Sequence, residues 1–157
     1  MTQGIKWVYL ISLAMWVGSI MFFSFVVAPT VFKVLKPEDA AKLQRALFPK
    51  YYLVGIICAG IGIVCVGLLL AERAVGKWPG VLSLLLLAAM GGTDLWLRQA
   101  VVPQMAEIRE QRAAAATPDP DLDAEWKSMH RLSVQLNAVV LLCGFVLVFL
   151  VVFSRVV

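Results

Sequence analysis

The chain has 157 residues, 61% of them hydrophobic, and its 14 Lys and Arg outnumber 10 Asp and Glu to leave a net charge of +4. At a mean hydropathy of +0.86 this is the composition of one small membrane domain, with no room for a separate soluble enzyme. The excess positive charge flanks apolar runs, where membrane topology and anionic lipid headgroups account for it, so it does not imply nucleic-acid binding.

The first uncharged run covers residues 7–32. A helix needs about 20 apolar residues to cross a hydrocarbon core roughly 30 Å thick, so this run crosses with residues to spare. It is too long for the apolar part of a signal peptide, and Val27-Ala28-Pro29 is a poor cleavage site, so it is expected to be retained. In the next connection, Pro37-Glu38-Asp39 reads as a helix start, with proline in the first turn and acids at the positive end of the helix dipole. Leu43, Ala46 and Leu47 then recur at helical spacing, and Pro49 is expected to end the segment. The result is a short amphipathic helix over 37–48 lying on the membrane surface.

A second span follows at 51–71, and the tight connection over 72–77 makes it an antiparallel hairpin with the third. The third run is uncharged only over 78–93 and reaches full length, 80–100, by taking in Asp94 and Arg98. A charge at the middle of a span costs roughly 2.5–3.5 kcal/mol on insertion scales, less toward its end, so this pair demands a role. Val102-Pro103 is expected to kink the helix as it leaves the membrane. Helical composition returns through residues 113–116, Pro118-Asp119-Pro120 forces a turn, and Asp121 or Asp123 can start the fourth helix, with its span at 132–154. Residues 101–131 therefore form a helical hairpin projecting from the bilayer.

The polar residues of the last two spans form a constellation. Asp94 and Arg98 are four apart with the acid first, the favourable order for a helical ion pair. At 1.5 Å per residue, Asn137 falls at about the depth of Asp94, and Ser133 at about that of Arg98. Trp126, His130, Ser133 and Asn137 are spaced by four, three and four, hence share one helix face. Two readings stay open. Asp94, Arg98 and Asn137 form an interhelical hydrogen-bonded clasp with His130 at its edge, or the cluster lines a cytoplasm-facing cavity that takes a proton, ion or headgroup.

Small residues support close helix packing: Gly55-x-x-x-Ala59, Cys58-x-x-x-Gly62 and Gly60–Gly67 on the second helix, and Gly91-Gly92 on the third. The three cysteines, Cys58, Cys65 and Cys143, lie inside spans and read as small hydrophobes, with a soft-metal path as the competing reading. Cys58 and Cys65 sit about 10 Å apart along one helix, too far for a disulfide. No phosphate loop, metal-ligand spacing or nucleophile triad is visible, and no cofactor is expected.

Leu47-Phe48-Pro49-Lys50-Tyr51-Tyr52, entering the second helix, resembles the Leu-Phe-Pro-x-Tyr-Tyr/Phe entry of the transmembrane-protein-205-like membrane domains. Trp16-Val17-Gly18 with Phe22 and Phe23 is similar to that family's first helix, and Pro103 to its proline after the third span. His130-x-x-Ser133-x-x-x-Asn137 resembles the opening of its fourth helix, except that Arg131 stands where the family has glycine. The resemblance covers nearly the whole chain. It implies a four-helix membrane domain of unknown function, with a suggested link to export or tolerance of metal-containing compounds. The topology also resembles the four-helix haem-linked protoporphyrinogen oxidases, but those depend on a histidine early in the first helix, and His130 is the one histidine here.

The expected architecture is all-α: a bundle of four transmembrane helices with a short interfacial helix between the first two. The expected role is that of a non-enzymatic inner-membrane protein, a small transport or permeation unit or an accessory subunit of a larger complex, in contact with anionic lipid headgroups and open to homo-oligomerisation. A haem-linked oxidoreductase is the alternative. Loops 33–50 and 101–131 carry nine Lys and Arg (Lys33, Lys36, Lys42, Arg45, Lys50, Arg109, Arg112, Lys127, Arg131), against Lys6, Arg73, Lys77 and Arg155 on the other side. That bias places both loops in the cytoplasm and both termini outside. Cysteines introduced at Ala115 and Gly76 should therefore label from opposite sides of intact cells, with Ala115 cytoplasmic. Periplasmic labelling of Ala115 would invert the topology.

Overall fold

The computed structural model describes residues 2–115 and 117–153. Ala116, Ser154 at the end of the expected fourth span, and Arg155 beyond it lie outside the described residues. Four long helices follow one another: α1 (Thr2–Val34), α2 (Pro37–Ala71), α3 (Lys77–Ala114) and α4 (Pro120–Phe153). At 33, 35, 38 and 34 residues, each is roughly 50–57 Å long at 1.5 Å per residue and outruns a core about 30 Å thick. The fold is the expected all-α four-helix bundle, and no strand occurs among the described residues.

The helices form a ring. α1 packs against α2 and α4, and α3 packs against α2 and α4, while neither diagonal pair approaches closely through its backbone. The centre is therefore filled by side chains. From α1 come Tyr9, Leu13, Trp16, Val17 and Ile20, whose spacing of three and four puts them on one face. Cys58, Ala59, Cys65 and Val66 meet them from α2, Leu87 and Met90 from α3, and Val140, Leu147 and Val151 from α4. A second cluster, Tyr52, Leu97 and Val101, closes the hairpin end. The outside is apolar too: Trp78, Phe25, Phe32 and Phe153 are each more than 60% exposed. In water such a surface would aggregate, whereas hydrocarbon solvates it. The chain is a multi-pass membrane protein.

Prolines interrupt three of the four helices. Phe23–Val27 and Leu97–Val101 are single π-helical turns, and each ends two residues before a proline, Pro29 and Pro103. The carbonyl four residues before each proline (Phe25 and Gln99) loses its α-helical donor, and it falls inside the π turn. The expected disturbance at Val102-Pro103 is thus a π turn just upstream, and α1 has a matching one. Pro49 behaves differently from the expectation. Residues 37–48 are helical and start at Pro37, with Glu38 and Asp39 in the first turn, but the helix runs on through Pro49 into the second span as one rod. Packing against α1 on one side and α3 on the other outweighs the proline's cost of about 3 kcal/mol. The start of α4 also shifts: Asp119, rather than Asp121 or Asp123, caps it, its Oδ1 accepting from the Asp121 N–H at 2.9 Å. Pro120 occupies the first helical position, where its fixed φ suits and its missing N–H costs nothing.

The short connection between α2 and α3 carries one strained residue. Arg73 has φ of 52°, the left-handed region. The Ala74 N–H bonds the Leu69 carbonyl at 2.8 Å and the Arg73 N–H bonds that of Leu70 at 3.1 Å, the two bonds of a Schellman cap. Glycine holds that position without steric penalty. Arg73→Gly is expected to stabilise the protein by about 1 kcal/mol, the cost of a left-handed L-residue, in reversible unfolding from mixed micelles. A loss of stability would show that the Arg73 side chain makes a compensating contact.

Candidate functional site

The helices gather the polar residues of the bundle into two adjoining places. The deeper one centres on Asp94, on the inward face of α3 and only 4% exposed. Opposite it on α2 is Gly55, where a Cβ would overlap the Asp94 carboxylate and come within 2.8 Å of Trp16 Nε1. The Trp16 indole nitrogen, projecting from α1, borders the same spot beside that carboxylate. Three helices thus meet at one buried acid, with glycine as the seat that makes room. Tyr51, Tyr52 and Cys58 on α2 lie within electrostatic reach of it.

The expected Asp94–Arg98 ion pair does not form. Arg98 Nε instead donates to the Pro49 carbonyl at 3.1 Å, and the ion pairs among the described residues are Lys42–Asp39 and Arg112–Asp123. Arg98 lies in the π turn Leu97–Val101, and its side chain is committed to α2 rather than to Asp94. Asn137 is not part of an Asp94 clasp either. Its Oδ1 accepts from the Tyr51 hydroxyl at 2.5 Å and its Nδ2 donates to Ser24 Oγ at 3.1 Å. Ser133 Oγ donates back to the His130 carbonyl at 2.8 Å.

Asn137, Tyr51 and Ser24 belong to the second place, a cavity of about 220 Å³ toward the hairpin end whose wall also includes Phe48, His130 and Ser133. Phe23 stacks on Tyr51 with centroids 4.7 Å apart. A neighbouring cavity of about 320 Å³ shares Phe32, Gln44, Phe48 and His130 with it and extends to Arg45, Arg98 and Arg109. His130 stands between the two. Its ring stacks nearly parallel on Trp126 at 5.1 Å, and the guanidinium groups of Arg109 and Arg112 each lie 5.6 Å from the Trp126 ring centre.

The motifs read separately in the sequence therefore converge. Phe48, Tyr51 and Tyr52 from α2, with Pro49 beside them, face His130, Ser133 and Asn137 from α4. Pro103 lines the larger cavity, and Trp16 reaches Asp94. Gly18 stands apart, exposed and with open space beyond its Cα. Cys58 and Cys65 are buried in the main core and Cys143 is half-buried beside it. Sequence reasoning missed Ser24, Gln44 and the pairing of Trp16 with Asp94. The available signal was that a buried acid needs a donor, and the indole of Trp16 is one of few within the first span.

A family model described as a domain of unknown function (DUF4149) matches residues 11–114. An uncharacterized protein of Aquifex aeolicus is 42% identical over 78 residues, covering 48% of this chain and 54% of that relative. The chain thus spans about half the length of the relative it matches. No solved structure matches.

His130 lies just before the fourth span. Burial first, and the Arg109 charge second, hold its imidazole below the ordinary histidine pKa of 6.5. Above about pH 6.5 both folded and unfolded states are neutral here; below it the unfolded chain binds the proton first, so stability falls as pH drops toward the folded pKa. Wild type should lose more stability than His130→Gln between about pH 7.5 and 5.5. Arg109→Gln should raise the imidazole pKa, read by NMR of the single histidine. A pKa at or above 6.5 in wild type would contradict the burial.

Proposed function

The chain belongs to the DUF4149 family, a domain of unknown function, and we propose that this member is a small transport or permeation unit in which Asp94 carries a proton or small cation. The observation that carries this reading is a carboxylate 4% exposed inside a spanning helix with no basic partner among the described residues. Intramembrane acids are expensive to keep, and a purely structural acid is neutralised by a cation on the protein. Here the neighbours are an indole donor, a glycine and two tyrosines.

The route to Asp94 runs from the hairpin end. His130, Ser133, Asn137, Tyr51 and Tyr52 line the smaller cavity, and the two tyrosines lie within electrostatic reach of Asp94. The charge bias points that end toward the cytoplasm of a bacterial-type inner membrane. The finer likeness to transmembrane-protein-205-like domains is supported by the meeting of its α2 and α4 motifs on one cavity. The accessory-subunit reading draws on Gly60 and Gly67, which leave open space on the lipid-facing side of α2 for a second helix. A haem-linked oxidoreductase has a single imidazole to offer, His130.

Purified protein in liposomes loaded with a pH-sensitive dye should pass protons or a small cation under an imposed potential. Asp94→Asn should reduce that flux to the level of empty liposomes. Gly55→Ala, which displaces the carboxylate without removing it, should also lower the flux, while Arg73→Gly should leave it unchanged. Equal flux in wild type and Asp94→Asn, or none in either, would overturn the assignment and favour the accessory role.

A further inference from the structure

The larger cavity gathers cations that have no ion-pair partner among the described residues. Arg45 comes from α2, Arg98 and Arg109 from α3, and Trp126 and His130 from α4, around about 320 Å³. None of the three arginines is in an ion pair among the described residues; the nearby acid Asp123 is taken by Arg112 at 2.5 Å. Arg98 uses its Nε on the Pro49 carbonyl, and its two terminal nitrogens make no hydrogen bond among the described residues. Burial and the charges of Arg45 and Arg112 pull Arg109 below the ordinary guanidinium range. Like charges held in one wall cost free energy unless an anion sits among them.

A second observation is independent of charge. The Trp126 indole N–H is buried without any hydrogen-bond partner, although indoles usually find one when buried, and Trp126 is part of this wall. Apart from Gln44, the rest of the wall is apolar, with Phe32, Phe48, Val102 and Met105 among its residues. Its volume lies at the lower end of the roughly 300–1,000 Å³ typical of ligand pockets. One guanidinium fork satisfies the two oxygens of a carboxylate. Three arginines projecting from two helices suit a tetrahedral group with more oxygens to share.

We propose that this cavity is a binding site for a phosphoryl oxyanion, held by Arg45, Arg98 and Arg109 at the hairpin end of the bundle, with the apolar wall receiving whatever hydrocarbon the phosphoryl group carries. The site is separate from Asp94 and does not depend on the transport reading. Two sources supply this chemistry, the headgroup of an anionic phospholipid and a free phosphate or phosphate ester. The apolar wall favours the lipid.

The test uses the full chain in nanodiscs of phosphatidylcholine alone or mixed with phosphatidylglycerol, and native mass spectrometry counts the lipid retained. One phosphatidylglycerol should stay with each chain, and Arg45→Gln should weaken retention about tenfold, the worth of one charge-assisted contact. Arg45 is exposed, so this variant does not threaten the core. Arg45→Gln with Arg109→Gln should abolish retention, whereas Arg73→Gln with Lys77→Gln, at the other end, should not change it. Phosphorus NMR with inorganic phosphate on protein in phosphatidylcholine discs separates the sources: binding there, lost in Arg45→Gln, supports a site for free phosphate. Retention of neither anion, or retention weakened equally by the Arg73/Lys77 variant, would overturn the proposal.

Discussion

A carboxylate inside a membrane has to be surrounded by something that tolerates it, and in this bundle that requirement sets the arrangement of three helices. Asp94 faces inward because the outside is hydrocarbon, where its charge has no solvation. Facing inward, it needs space on the opposite helix, which Gly55 provides by having no side chain. It also needs polar company, and Trp16 crosses the ring from the diagonal helix to bring its indole nitrogen to the same spot. Since α1 and α3 do not touch through their backbones, this side-chain meeting is what spans the middle of the bundle there. Larger side chains fill the remainder of the core on either side of it.

The arginines illustrate the same electrostatic rule with the opposite outcome. Arg98 is one turn from Asp94 in sequence, yet the two do not neutralise each other. The acid stays without a cation and the base joins two others around a cavity. The acid is buried in the core and the base lines a cavity, so each stays open to a partner other than the other.

Much of this was legible in the residues themselves. Four apolar runs, the charge bias and the proline-acid start at Pro37 follow from composition and helix-end chemistry, and the structure has the corresponding helices. That Asp94, His130 and Asn137 need partners was also legible, since polar groups in an apolar segment require them, while Tyr51 stood out only through the family resemblance. Which partners they take was not. Helical spacing put Asp94 with Arg98, but spacing says nothing of competing acceptors on neighbouring helices, and the Pro49 carbonyl on α2 takes Arg98 instead. Pro49 misled for a different reason: a proline's local penalty is visible in sequence, while the packing from two neighbouring helices that outweighs it is not.

The prolines have a mechanical consequence. A helix resists bending through its ladder of hydrogen bonds, and compliance concentrates wherever a rung is missing. Pro29, Pro49 and Pro103 remove rungs from α1, α2 and α3, and the residues around them (Phe23, Phe48, Arg98) border the two cavities. α4 has no proline after its first residue, Pro120, and runs unbroken to Phe153. α1 and α3 are therefore jointed at their π turns, α2 runs on through Pro49 with one rung missing, and α4 is the one stiff post of the ring, with every weakened point at the cavity end. Bending at that end moves the walls of both chambers against His130, Ser133 and Asn137, which stay fixed to the post, while the opposite half of the bundle keeps its shape.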